Sequence, residues 1–76
     1  MALTGKDFSK TGDTYTAEAS RINFRYAADN ITVQNLEGKD RTFEQTGADR
    51  DGSNEDIYGW NYREVGGNLK LLIIND

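Results

Sequence analysis

Apolar residues along this chain recur mostly at every second position, the spacing of a half-buried β-strand rather than a helix. Ile22, Phe24 and Tyr26 alternate with Asn23 and Arg25. Ala27-Ala28-Asp29-Asn30 then predicts a turn, because Asp and Asn tolerate positive φ, and Ile31 and Val33 form the return strand. Farther on, Trp60 and Tyr62 alternate with Asn61 and Arg63, Gly66-Gly67-Asn68 predicts a second turn, and Leu69, Leu71 and Ile73 return. Glu37-Gly38-Lys39-Asp40 is a third turn signal, joining a strand over residues 31–36 to one over residues 41–46. Tyr15, Ala17 and Ala19 also alternate, but Ile22 falls on the opposite parity. A strand with a bulge near Ser20-Arg21 accounts for this best. The alternative is a short helix over residues 14–21, which Ala17, Glu18 and Ala19 favour. Residues 48–56 contain nothing apolar after Ala48 and read as a loop.

The two hairpins belong to a longer internal likeness. The stretch from Asn23 to Val33 aligns without a gap on the stretch from Asn61 to Leu71, with Asn, Arg and Asn identical and apolar positions matched by type. Upstream, Phe8-Ser9-Lys10-Thr11-Gly12 matches Phe43-Glu44-Gln45-Thr46-Gly47. The pattern predicts a single domain over residues 1–76, with one repeat over about 8–36 and another over about 43–74. The expected fold is all-β, a small barrel or sandwich of about six strands built from two related three-stranded halves. The C-terminal strand is apolar on both faces. With Leu69, Leu71 and Ile73 turned to the core, Leu72 and Ile74 need cover, either from Leu3 and Phe8 or from a second copy docked on the segment from Leu69 to Ile74.

Composition narrows the function classes. A chain of 76 residues buries a small core. It has no cysteine, hence no disulfide and no thiolate, and no histidine, hence no neutral-pH imidazole base. Ser9, Ser20 and Ser53 therefore lack a triad partner, and no glycine-rich phosphate loop precedes a helix. An enzyme is not expected. The net charge of −4, with acids and bases mixed along the chain, argues against nucleic acid. No leader-like segment and no apolar run near the roughly 18 residues of a membrane span is present, so a soluble protein is expected.

Three groups remain as candidate chemistry. Asp49, Asp51, Ser53, Glu55 and Asp56 offer oxygen ligands around Gly52, and Asp49, Asp51, Ser53 and Asp56 are the candidate Ca²⁺ ligands. The bland reading of this stretch is a solvated loop. Tyr58, Trp60 and Tyr62 share one strand face. Trp60 and Tyr62 align with apolar residues of the first repeat and are expected in the core, leaving Tyr58, beside the acidic loop, as the exposed aromatic expected to contact a ligand. The duplicated polar set, Asn23 with Arg25 and Asn61 with Arg63, opposes the apolar face and would make two equivalent ligand sites. Its bland reading is arginines paired with nearby carboxylates.

Phe8-Ser9-Lys10-Thr11 and Phe43-Glu44-Gln45-Thr46 are similar to the repeat openings of cyanovirin-type lectins. Val65-Gly66-Gly67-Asn68-Leu69-Lys70 and Tyr15-Thr16-Ala17-Glu18-Ala19 are similar to other short pieces of that family. The family's cysteines are missing, with Gly12 and Gly47 at the first of each repeat. The resemblance implies carbohydrate binding and assigns no residue to it. The expected function is a non-catalytic binding module, carbohydrate-binding and with or without calcium. The alternatives are a protein-interaction or assembly module using the C-terminal strand, and an inhibitor presenting the acidic loop.

Overall fold

The computed structural model describes residues 3–24, 28–50 and 57–76, with residues 49 and 50 as backbone only. Seven strands form one mixed sheet that curls into a half-barrel. They are β1 (Leu3–Thr4), β2 (Ser9–Thr11), β3 (Thr14–Glu18), β4 (Asn30–Leu36), β5 (Lys39–Arg50), β6 (Ile57–Glu64) and β7 (Lys70–Ile74), in the order β1-β4-β5-β6-β7-β3-β2. The expected all-β class is observed, and no helix among the described residues is long and apolar enough to cross a membrane.

Local chemistry sets the β4–β5 and β6–β7 hairpins. Leu36 pairs with Lys39, so Glu37 and Gly38 form a two-residue loop, and both have positive φ, 52° and 88°. Two left-handed residues give the turn whose twist matches the flanking strands. Asn35, also left-handed, inserts a bulge that returns Leu36 to the inner face beside Val33. The β6–β7 turn uses Gly66 at φ 77°. Its neighbour Gly67 lies against the Glu64 carboxylate, where any Cβ would overlap it.

The inner face holds the core. Val33, Phe43 and Ile73 are wholly buried, and Leu71 and Tyr62 nearly so. Trp60 packs against this cluster and tilts onto Phe24 at 5.8 Å between ring centroids, as expected for the two aromatics assigned inward.

The twofold repeat is not reproduced. The second copy forms the β6–β7 hairpin, but Ile22 and Asn23 of the first lie in a turn, and β4 pairs with β5 and β1. The reason is local. β3 ends at Glu18, and the chain wraps back, with the Ile22 amide donating to the Glu18 carbonyl and the Phe24 amide to the Ala19 carbonyl. Asn23 takes φ 55°. This turn buries Ala19, Ile22 and Phe24 together, so neither a bulged strand nor a helix is needed to explain their parity. Residues 48–50, expected in a loop, belong to a strand. A bulge at Thr46 resets the register, and β5 continues through Ala48, Asp49 and Arg50 against β6.

The C-terminal strand is an interior strand. β7 pairs antiparallel with β6 and parallel with β3, so both of its backbone edges are occupied and strand addition to it is closed. The parallel partner is a residue run far away in sequence, which the local pattern could not name. Leu72 and Ile74 are half-buried on the outer face. Leu3 and Phe8, expected to cover them, belong to the inner core instead, because the β1–β4 register sets Leu3 beside Val33. The N-terminal segment thereby links the two outermost strands of the sheet. Its 3-10 turn at Gly5–Asp7 is fixed by the Thr4 amide donating to Asp7 Oδ2 at 2.9 Å.

Polar contacts hold the barrel interior at two places. Arg41 Nη1 donates to both oxygens of Glu64, at 2.9 and 3.1 Å, and Arg41 Nε donates to the Leu36 carbonyl at 2.8 Å. Both side chains are largely buried, at 14% and 8% exposure. Elsewhere Tyr62 Oη donates to the Ala28 carbonyl at 2.7 Å. Tyr15 on β3 donates to Glu37 Oε2 at 2.5 Å, joining elements that are not sheet neighbours.

These tyrosines make stability sensitive to alkali. Burial, partly offset by the Gln45 hydrogen bond, raises the Tyr62 pKa, and the hydrogen bond to Glu37 raises that of Tyr15. The folded state therefore keeps protons that the unfolded chain releases near pH 10. Stability present below about pH 10 should fall as the pH rises toward the raised folded values. Denaturation midpoints from pH 8 to 11 should decline, and Tyr62→Phe should flatten the decline. An unchanged slope in that variant would remove Tyr62 from the account.

Candidate functional site

Register brings side chains from four strands together on the outer face. Thr14 on β3 pairs with Lys70 on β7, Lys70 with Arg63 on β6, and Arg63 with Glu44 on β5. One step along, Leu72 pairs with Asn61. Alternation on each strand turns these residues away from the core, as the sequence pattern predicts for Asn61 and Arg63. Thr14, Lys70, Arg63 and Asn61, together with Thr46, border a groove of about 300 Å³ whose floor is formed at Tyr62 and Leu71.

The hydrogen-bonding state of the groove is uneven. Thr46 Oγ1 donates to the Asn61 carbonyl at 3.3 Å, and Thr14 Oγ1 donates to Asp13 Oδ1 at 3.1 Å. Arg63 gives its Nε to Glu44 Oε1 at 2.6 Å. Among the described residues its two Nη groups find no acceptor, and neither does the Asn61 side-chain amide. Lys70 Nζ sits 3.7 Å from Asp13 Oδ2, an ion pair beyond hydrogen-bond length. The Asp13 carboxyl is held below its usual range, first by the Thr14 hydrogen bond and then by the Lys70 charge. The groove thus offers donors from Arg63, Lys70 and Asn61, with half-buried Leu72 next to Lys70 on the same strand face.

No protein-family model, curated protein or solved structure matches the chain. The likeness to cyanovirin-type lectins therefore rests on its short stretches alone.

The other expected site residues are not gathered here. Tyr58 is 45% exposed, as expected, but it lies at the start of β6 and does not line the groove. Asn23 is in the turn after β3, whereas Asn61 lies within β6. Arg25, Asp51, Ser53 and Asp56 lie outside the described residues, and Asp49 is described as backbone alone. Among the described residues no group of three or more acids is placed to hold a metal ion.

Thr14, Thr46 and Lys70 escaped the sequence reading. The available signal was parity, since Lys70 falls on the face opposite Leu69 and Leu71. Their convergence depends on the parallel β3–β7 register and the Thr46 bulge, which no local pattern encodes. A second cleft of about 340 Å³ is bordered by Lys6, Asp7, Glu18 and Arg21 among others. It contains none of the expected site residues.

Proposed function

We propose that this protein is a non-catalytic carbohydrate-binding module whose ligand lies in the outer groove of β3, β7, β6 and β5. One observation carries the reading. The Asn61 amide and the outer nitrogens of Arg63, without acceptors among the described residues, share one groove with the Lys70 ammonium, held only at 3.7 Å from Asp13, near the partly exposed apolar surface of Leu72. A sugar ring carries hydroxyls around its rim and C–H groups on its faces, so it calls for this combination of convergent polar groups and a small apolar platform. Arg63 also borders a shallower depression beside the β6–β7 turn, together with Glu44 and Asn68. The two surfaces are continuous through Arg63 and suit an oligosaccharide better than a single ring. Calcium remains part of the proposal only through the acidic stretch from Asp49 to Asp56, as an aid to binding.

The test is a glycan array probed in calcium and again in EDTA. Defined hits, competed by the free glycan, are expected. Asn61→Ala should weaken a hit roughly threefold to tenfold, the effect of one or two modest hydrogen bonds, while leaving thermal unfolding unchanged. Loss of the hits in EDTA would assign the acidic stretch a metal. A blank array from folded protein would sink the carbohydrate reading and favour a protein partner on the outer face around Leu72 and Ile74.

A further inference from the structure

Resting on the carbohydrate reading of the groove, we infer that its ligand is an acidic glycan, bound by a carboxylate or sulfate seated between Lys70 and Arg63. Lys70 and Arg63 are directly opposed on the antiparallel β6–β7 pair, and like charges in that position destabilise a sheet. The acids stand on the outer flanks, Asp13 beyond Lys70 and Glu44 beyond Arg63. A ladder built only for stability would alternate the signs. This one leaves two cations facing each other in the middle of the groove.

The geometry of each cation points the same way. Glu44 holds Arg63 by Nε alone, at 2.6 Å, which fixes the guanidinium plane and leaves its Nη edge for another oxyanion. That edge presents paired, parallel donors of the kind that match a carboxylate or sulfate. Lys70 is tethered to Asp13 only loosely, at 3.7 Å, and keeps its ammonium donors for the same acceptor. Asn61 supplies a further donor, or an acceptor for a neighbouring hydroxyl. The surplus is in donors that carry charge, although the chain as a whole has a net charge of −4. Salt screens the distant acids, while Glu44 and Asp13 stay close enough to offset part of the two cations' charge, so the seat rests on the donors they leave open.

The experiment uses the full chain on an array that carries neutral glycans beside uronate-containing, sialylated and sulfated ones, followed by calorimetry on the strongest hit. Acidic glycans should bind and their neutral counterparts should not, and carboxylate and sulfate arms separate the two sources of the oxyanion. Lys70→Gln and Arg63→Gln should each reduce affinity about tenfold or more, consistent with loss of a charge-assisted hydrogen bond. Lys6→Gln makes the same change in net charge outside the groove and should leave affinity unaltered. Hits confined to neutral glycans would overturn the acidic-ligand inference and leave the carbohydrate reading standing. A blank array would end both. An equal loss in the Lys6 and Lys70 variants would reduce the effect to long-range attraction and overturn the assigned seat.

Discussion

Replacing Arg41 by Met is expected to lower the free energy of unfolding by about 3–5 kcal/mol, because it leaves the Glu64 carboxylate buried without its counter-ion. A chain of this length has about 4–11 kcal/mol in total, so much of the population should unfold near body temperature. The loss has two parts. Glu64 loses two charge-assisted hydrogen bonds, and the Leu36 carbonyl loses the Arg41 Nε donor. Arg41 thereby couples the β4–β5 turn to the end of β6, and these contributions should not be separable by single substitutions. The double variant Arg41→Met with Glu64→Met should recover most of the loss, since replacing both ions with apolar groups removes the desolvation penalty. Urea unfolding followed by Trp60 fluorescence would measure all three. A loss below about 1 kcal/mol in the single variant would mean that the pair behaves like a hydrated surface bridge.

Phe8→Ala should have a similar effect, about 3–5 kcal/mol, through the cavity left by a buried aromatic. Phe8 matters because of its location more than its size. It ends the 3-10 turn between β1 and β2, and it anchors the only covalent link between the two outermost strands. Gly5 on the same link lies so close to the Asn35 carbonyl that no side chain fits there, which shows how closely the segment seats on β4. Phe8→Leu should cost less than about 1.5 kcal/mol, because it keeps most of the volume. Hydrogen exchange should show the amides of β2 losing protection first in Phe8→Ala. Equal destabilisation by Ala and Leu would point to a specific ring contact rather than to filled volume.

The parts of this fold that were legible in the sequence are those fixed within one turn of chain. Gly38 and Gly66 announce their hairpins because few residues other than glycine adopt positive φ cheaply. The alternation of Trp60 and Tyr62 with Asn61 and Arg63 correctly separates the core from the outer face. Ile22 and Phe24 misled for a physical reason. Their spacing of two is satisfied equally by a strand and by a turn that folds back on Ala19. The likeness between the two copies extended over residue types without fixing which strand pairs with which. Arg41 and Glu64 were unremarkable as sequence, and only the curled sheet brings them together inside. The groove shows the same limit. Two of its residues were named in advance, while Thr14, Thr46 and Lys70 depended on a register between strands distant in the chain.

That register also constrains how the chain reaches its native state. β7 is laid between β3 and β6, so residues 14–18 wait for residues 70–74 before the sheet is continuous. Closing so long a loop for a parallel pairing is entropically expensive and places the domain among slow, non-local folders, in milliseconds to seconds rather than microseconds. During synthesis β3 has no partner on that side until residue 74 has left the ribosome. Its Tyr15-Thr16-Ala17 edge is then exposed to other nascent chains, so crowded expression, rather than the finished fold, is where this protein is most vulnerable to aggregation.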